Sequence, residues 1–171
     1  MKIGDCLAFE DNNGIFGKLI SKFTGSNITH VAMMLYGNQF IEASLSGIRI
    51  STLDKIKNKT YYRCELEPSQ RVKIYRDPKL LKMFIDAQLY KPYDFMQITK
   101  FIPYILCFGL YTPKEDNKLY VCSELVGAIY EFMRILKDVN TSIMTPADIF
   151  NLPIYKSKEK INAKSNWNTK R

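Results

Sequence analysis

The chain of 171 residues is 46% hydrophobic and 13% aromatic, enough apolar matter for one sizeable core and a length typical of a single domain. Its formal charge of +8 is uneven: from Lys156 onward six basic residues stand against one acid, Glu159, leaving +5 in the segment 156–171. The longest mostly apolar run without charge, Phe101 to Tyr111, has eleven residues with a proline inside, short of the roughly 20 that a membrane-spanning helix needs.

The opening stretch is broken by Lys2, Asp5 and Glu10, so no secretory type of segment is expected there, and a cytoplasmic location with reduced thiols is the working reading. Ile3 to Glu10 reads as a short strand. Gly14 to Phe23 carries Ile15, Phe16, Leu19, Ile20 and Phe23 at the three-and-four spacing of an amphipathic helix, which Gly25 ends. His30 to Tyr36 has the apolar content of a buried strand. Gly37-Asn38 turns the chain, and Gln39 to Ala43, Gly47 to Ser51 and Tyr61 to Glu67 follow as further strands. About five consecutive strands suit an antiparallel sheet.

After Pro68 the pattern becomes helical, at Pro78 to Leu89 and again, beyond Lys91-Pro92, from Phe95 to about Phe108. Cys122 to Leu136 is the clearest helix, with Leu125, Val126, Ile129, Phe132, Met133 and Leu136 on one stripe. Thr145-Pro146-Ala147-Asp148 looks like the capped start of a last short helix. Strands followed by helices are the α+β signature. No linker divides the chain, so residues 1–155 are expected to form one catalytic domain and 156–171 a flexible basic tail. That tail is either simply solvated or a contact for an anionic surface such as lipid head groups, nucleic acid or cell-wall polymer; nothing in it points to sequence-specific nucleic-acid reading.

The four cysteines, Cys6, Cys64, Cys107 and Cys122, lie far apart with no C-x-x-C pair and a single histidine in the chain, a poor set for structural zinc. No metal or cofactor is expected. Cys122 opens a helix, where unpaired N–H groups and the positive dipole end favour thiolate and can also hold an oxyanion. A buried structural cysteine is the competing reading. The base that such a thiolate needs can come only from His30. Glu42, amid apolar neighbours on the next strand of the hairpin, is a candidate to orient that ring; a solvent-facing strand position is its alternative. Asp94 is a competitor for the same role, although an acid at a helix entry more often serves as a cap.

The ordered motifs Gly4-Asp5, Ser26-x-x-Thr29-His30-Val31, Phe40-Ile41-Glu42-Ala43, Lys91-Pro92-Tyr93-Asp94-Phe95, Val121-Cys122-Ser123-Glu124-Leu125-Val126 and Thr145-Pro146-Ala147-Asp148-Ile149 resemble the NlpC-type cysteine peptidase superfamily. More narrowly, they resemble its circularly permuted, papain-like branch, related to lecithin:retinol acyltransferase, in which the histidine strand precedes the cysteine helix. The resemblance covers most of residues 3 to 154. It implies Cys122 as nucleophile, His30 as general base, Glu42 as orienting residue and Tyr93 as an oxyanion or substrate-binding group, with Asp5 structural. It also implies a thiol peptidase or amidase that works through a thioester, with a peptide as substrate. A lipid-directed thioesterase or acyltransferase, suggested by the uncharged segment 101–111, and a catalytically silent binding protein remain open alternatives.

Overall fold

The structure is a computed structural model that describes residues 1–10, 15–44, 46–92 and 121–162. The helix expected from Phe95, the apolar run 101–111, Cys107, Tyr93, Asp94 and residues 163–171 lie outside that description.

Six strands form one sheet: β1 (Cys6–Phe9), β2 (His30–Met34), β3 (Gln39–Ser44), β4 (Gly47–Thr52), β5 (Tyr61–Leu66) and β6 (Tyr155–Ile161). Their order is β4-β3-β2-β1-β5-β6, and every neighbouring pair is antiparallel. Five helices accompany them among the described residues: α1 (Ile15–Thr24), α2 (Pro68–Arg76), α3 (Pro78–Gln88), α4 (Cys122–Phe132) and α5 (Pro146–Asn151). The class is therefore α+β, as the order of sequence patterns implies.

Alternation along the strands sorts their side chains onto two faces. Cys6, Ala8, Val31, Met33, Ile41, Ala43, Cys64 and Leu66 join Leu125, Val126, Ile129 and Tyr130 of α4 in the larger apolar cluster. Leu7, Phe9, Ala32, Met34, Phe40 and Tyr61 form the smaller one on the opposite face, beneath Ile56 of a short 3-10 turn. Packing of α4 onto β2 and β3 is what carries the start of that helix to the sheet. Gly127 permits the close seat of α4: a Cβ there would stand 2.8 Å from Cβ of Thr141.

Asp5 sits wholly buried where the chain enters β1, and it accepts from Arg71 Nη2 at 2.9 Å, Arg63 Nε at 3.0 Å and the Leu66 backbone N–H at 3.2 Å. One carboxylate thus joins β1, β5 and α2. A buried acid with this set of donors is structural in the sense expected of it.

Three expectations need correction. The sheet has a sixth strand where the basic tail was expected to begin: Tyr155–Ile161 pairs with β5, and the proposed boundary at 155/156 falls inside it. Its lysines concealed it, because an edge strand lying open to solvent needs no apolar alternation, and charge there discourages further pairing. Helix begins earlier than the expected Pro78: Pro68–Arg76 is a helix that starts on its proline, and its weakly segregated, charged sequence hides the apolar stripe. Finally, α4 ends at Phe132 and does not continue to Leu136. Arg134 adopts φ 57°, and the N–H groups of Ile135 and Leu136 turn back to the Tyr130 carbonyl. The last short helix matches its reading, with reciprocal capping between Thr145 and Asp148.

Candidate active site

Three residues far apart in the chain meet at the rim of the sheet. His30 is the first residue of β2, opposite Phe9 of β1, and its ring rests against the Phe9 ring with centroids 5.4 Å apart. Pairing of Met34 with Phe40 sets the β2–β3 register, and counting in steps of two from that pair puts His30 and Glu42 on one face. His30 Nε2 lies 3.1 Å from Glu42 Oε2. The Glu42 side chain is only 11% exposed, the His30 side chain 26%.

Cys122 comes from the other face of the sheet, as the first residue of α4. Its N-cap is Val121, which has extended backbone and makes no side-chain capping bond, and the first helical bond runs from Leu125 N–H to the Val121 carbonyl. His30, at the start of β2, meets the Cys122 sulfur through its charge and a side-chain hydrogen bond. The backbone N–H groups of Val31 and Ser123 also point at that sulfur.

The electrostatics follow from this arrangement. Burial by itself would raise the Cys122 pKa; the charge and hydrogen bond of His30, then the Val31 and Ser123 N–H groups, outweigh it and bring the thiol below its ordinary value of 9.0. For His30 burial works downward, yet Cys122 and then Glu42 raise it from 6.5 to about 9. Burial would likewise raise Glu42, whereas His30 and then Arg49 lower it from 4.5 to about 2. The three groups favour a thiolate, an imidazolium and a carboxylate in sequence. Cys6 differs in kind: buried beside Cys64 on adjacent strands, its thiol is pushed well above the ordinary range, first by desolvation and then by its hydrogen bond to Cys64.

A solved structure described as the metalloprotein yiiX from Escherichia coli O157:H7, DUF1105, is similar to this chain, with a TM-score of 0.64 and 17% identity. The similarity covers 94% of this chain and 96% of that one. No family model and no curated protein matches the chain. At that identity the likeness speaks to the fold alone, and it spans nearly the whole of both chains.

Of the residues singled out from sequence, His30, Glu42 and Cys122 come together, and Asp5 is placed in the buried network apart from them. Tyr93 and Asp94 lie outside the described residues. Arg49 was missed: its Nε and Nη2 stand 3.0 and 2.9 Å from Glu42 Oε1. The signal for it was present, since an acid inside an apolar strand requires a partner, and Arg49 lies seven residues on, across the β3–β4 turn.

Among the described residues no group of three or more His, Cys, Asp and Glu side chains is placed to hold a metal ion. No helix among them is long and apolar enough to cross a membrane.

Proposed function

We propose that this chain is a thiol-dependent hydrolase of peptidase or amidase type, built on a circularly permuted papain-like fold, with Cys122, His30 and Glu42 as its triad. The observation that carries this reading is the bridge made by His30, with Glu42 Oε2 at 3.1 Å from Nε2 on one side and the Cys122 sulfur hydrogen-bonded on the other.

Nε2 faces Glu42, which leaves Nδ1 to exchange a proton with the sulfur. The Cys122 thiolate attacks the carbonyl carbon of the substrate; the new C–S bond forms as the carbonyl π pair moves onto oxygen. The oxyanion accepts from backbone N–H at the start of α4, beginning with that of Cys122 itself. The imidazolium gives its proton to the leaving nitrogen, the C–N bond breaks, and a thioester remains. His30, now neutral, takes a proton from water as it adds to the thioester; collapse breaks the C–S bond and releases the acid. Glu42 holds the ring orientation and balances its charge throughout.

The neighbour's description as a metalloprotein suggests a second chemistry, but the donors that meet here suit it poorly. Both Glu42 oxygens are engaged, one by His30 and one by the Arg49 guanidinium, and a fixed cation beside the carboxylate opposes a second one. The acyl-lipid alternative draws on residues 101–111, outside the described part of the chain, and the site geometry serves peptide and ester carbonyls alike.

The test is reaction with a thiol-directed electrophile near neutral pH, followed by peptide mapping, alongside hydrolysis of a panel of peptide, amide and acyl-ester substrates. Preferential modification of Cys122 and turnover lost in Cys122→Ser support the reading. Equal modification of Cys122 and Cys6 with no turnover on any substrate class would point instead to a binding protein that has only the architecture.

A further inference from the structure

Glu42 and Arg49 are directly paired across the β3–β4 hairpin. Two nitrogens of the guanidinium, Nε and Nη2, converge on the single oxygen Oε1 of Glu42 at 3.0 and 2.9 Å. The third, Nη1, donates to Ser46 Oγ at 3.2 Å, and Ser46 Oγ is 2.9 Å from Ser44 Oγ at the foot of the same turn. The guanidinium is thereby held from two directions on a short hairpin. A glutamate alone has a loosely defined terminal torsion and two equivalent oxygens. Committing one of them to Arg49 leaves the other for the ring.

We infer that Arg49 is a positioning residue of this site: by occupying Oε1 of Glu42 it fixes the carboxylate so that Oε2 is presented to His30, extending the triad to Cys122–His30–Glu42–Arg49. The inference deepens the thiol-hydrolase reading and rests on it for its catalytic meaning, but the geometry it invokes can be observed without turnover.

Two lesser roles compete. An ordinary surface ion pair contributes roughly 0–1 kcal/mol and constrains nothing else; the Arg49 side chain is 49% exposed, yet its partner is 11% exposed and also engaged with the ring. A mere neighbouring cation would make itself felt through charge alone, and removing it would favour the imidazolium. Positioning has the opposite sign, since loss of a well-placed carboxylate disfavours the imidazolium. Among the described residues the charged groups facing Glu42 are His30 from β2 and Arg49 from β4, so the two effects can be separated there.

His30 is the single histidine of the chain, so imidazole NMR reports this site without assignment. In Arg49→Met the His30 pKa is expected to fall by about one unit, and the Nε2 proton to exchange faster with water. Arg49→Lys, which keeps the charge but not the two-nitrogen grip, is expected to fall between, and serves as the test if the methionine variant does not fold. In a Glu42→Gln background Arg49→Met should move the titration no further, because its effect passes through Glu42. In turnover, kcat should fall about tenfold with KM little changed. An unmoved or raised His30 pKa in the single variant, or an undiminished shift in the Glu42→Gln background, overturns the inference. A wild-type chain inert toward every substrate would defeat the hydrolase reading alone; a turning-over enzyme whose His30 ignores Arg49 would defeat this one alone.

Discussion

His30 and Glu42, twelve residues apart on neighbouring strands, share one face of the sheet with Nε2 and Oε2 3.1 Å apart. That contact takes one end of the imidazole and turns the other toward Cys122. The first consequences concern the thiol.

Cys122 is expected to be modified by a small electrophile at neutral pH at least tenfold faster than Cys6, because one sulfur has charge-bearing and N–H partners and the other is desolvated beside a thiol. In His30→Ala the Cys122 rate should fall toward that of an ordinary thiol. Mass-spectrometric mapping over time separates the sites. Comparable rates before and after removal of the ring would mean that the imidazole does not activate the sulfur.

The pH dependence has a definite sign. His30, raised from 6.5 to about 9, contributes stability that is fully present below 6.5 and is lost as pH climbs through about 9. Cys122, lowered from 9.0, contributes stability that is present above 9.0 and is lost as pH falls through its folded value. Between 6.5 and 9 the two slopes oppose each other, since folding draws a proton off the sulfur and holds one on the ring. In Cys122→Ser the leading cause that raises His30 is gone. Its titration should drop below about 9, and the stability gap to the wild type should widen as pH rises. NMR titration and urea denaturation across that range check both; a His30 titration that ignores the serine would refute the ion pair.

Glu42→Gln keeps the shape and a hydrogen-bonding group but removes the charge that supports the imidazolium. Turnover is expected to fall roughly 10²-fold, less than the complete loss in Cys122→Ser, with the fold intact by circular dichroism. Full activity in this variant would move the orienting role elsewhere.

Asp5→Asn should destabilise the fold by about 3 kcal/mol or more, because it leaves the buried Arg71 guanidinium facing a neutral amide. Denaturant midpoints measure it. His30 should titrate as in the wild type wherever the variant is folded, since Asp5 and His30 bracket opposite ends of the β1–β2 pair.

Much of the site was legible because its residues had so few competitors. One histidine, a helix opened by a cysteine, and an acid inside an apolar strand could be read from spacing, and the hairpin turn at Gly37-Asn38 supplies the register. Strand and helix identity was legible where apolar periodicity was strong, as in β2 and α4. It failed where burial was not the organising force: β6 is held by backbone pairing with β5 while its lysines remain in water, and α2 packs chiefly through Arg71 and Ile74. The early end of α4 depends on a single left-handed residue, Arg134, a position that composition does not favour. Arg49 escaped because its importance comes from pairing rather than from its own type; only after β3 and β4 are aligned does it stand opposite Glu42.

The β2–β3 hairpin and α4 are separated by some eighty residues of chain, and the Cys122 sulfur is made more acidic chiefly by His30 of β2. An extended or half-made chain therefore carries an ordinary, sluggish thiol. The lowered thiol pKa of Cys122 thus belongs to the folded chain alone, with α4 seated against β2.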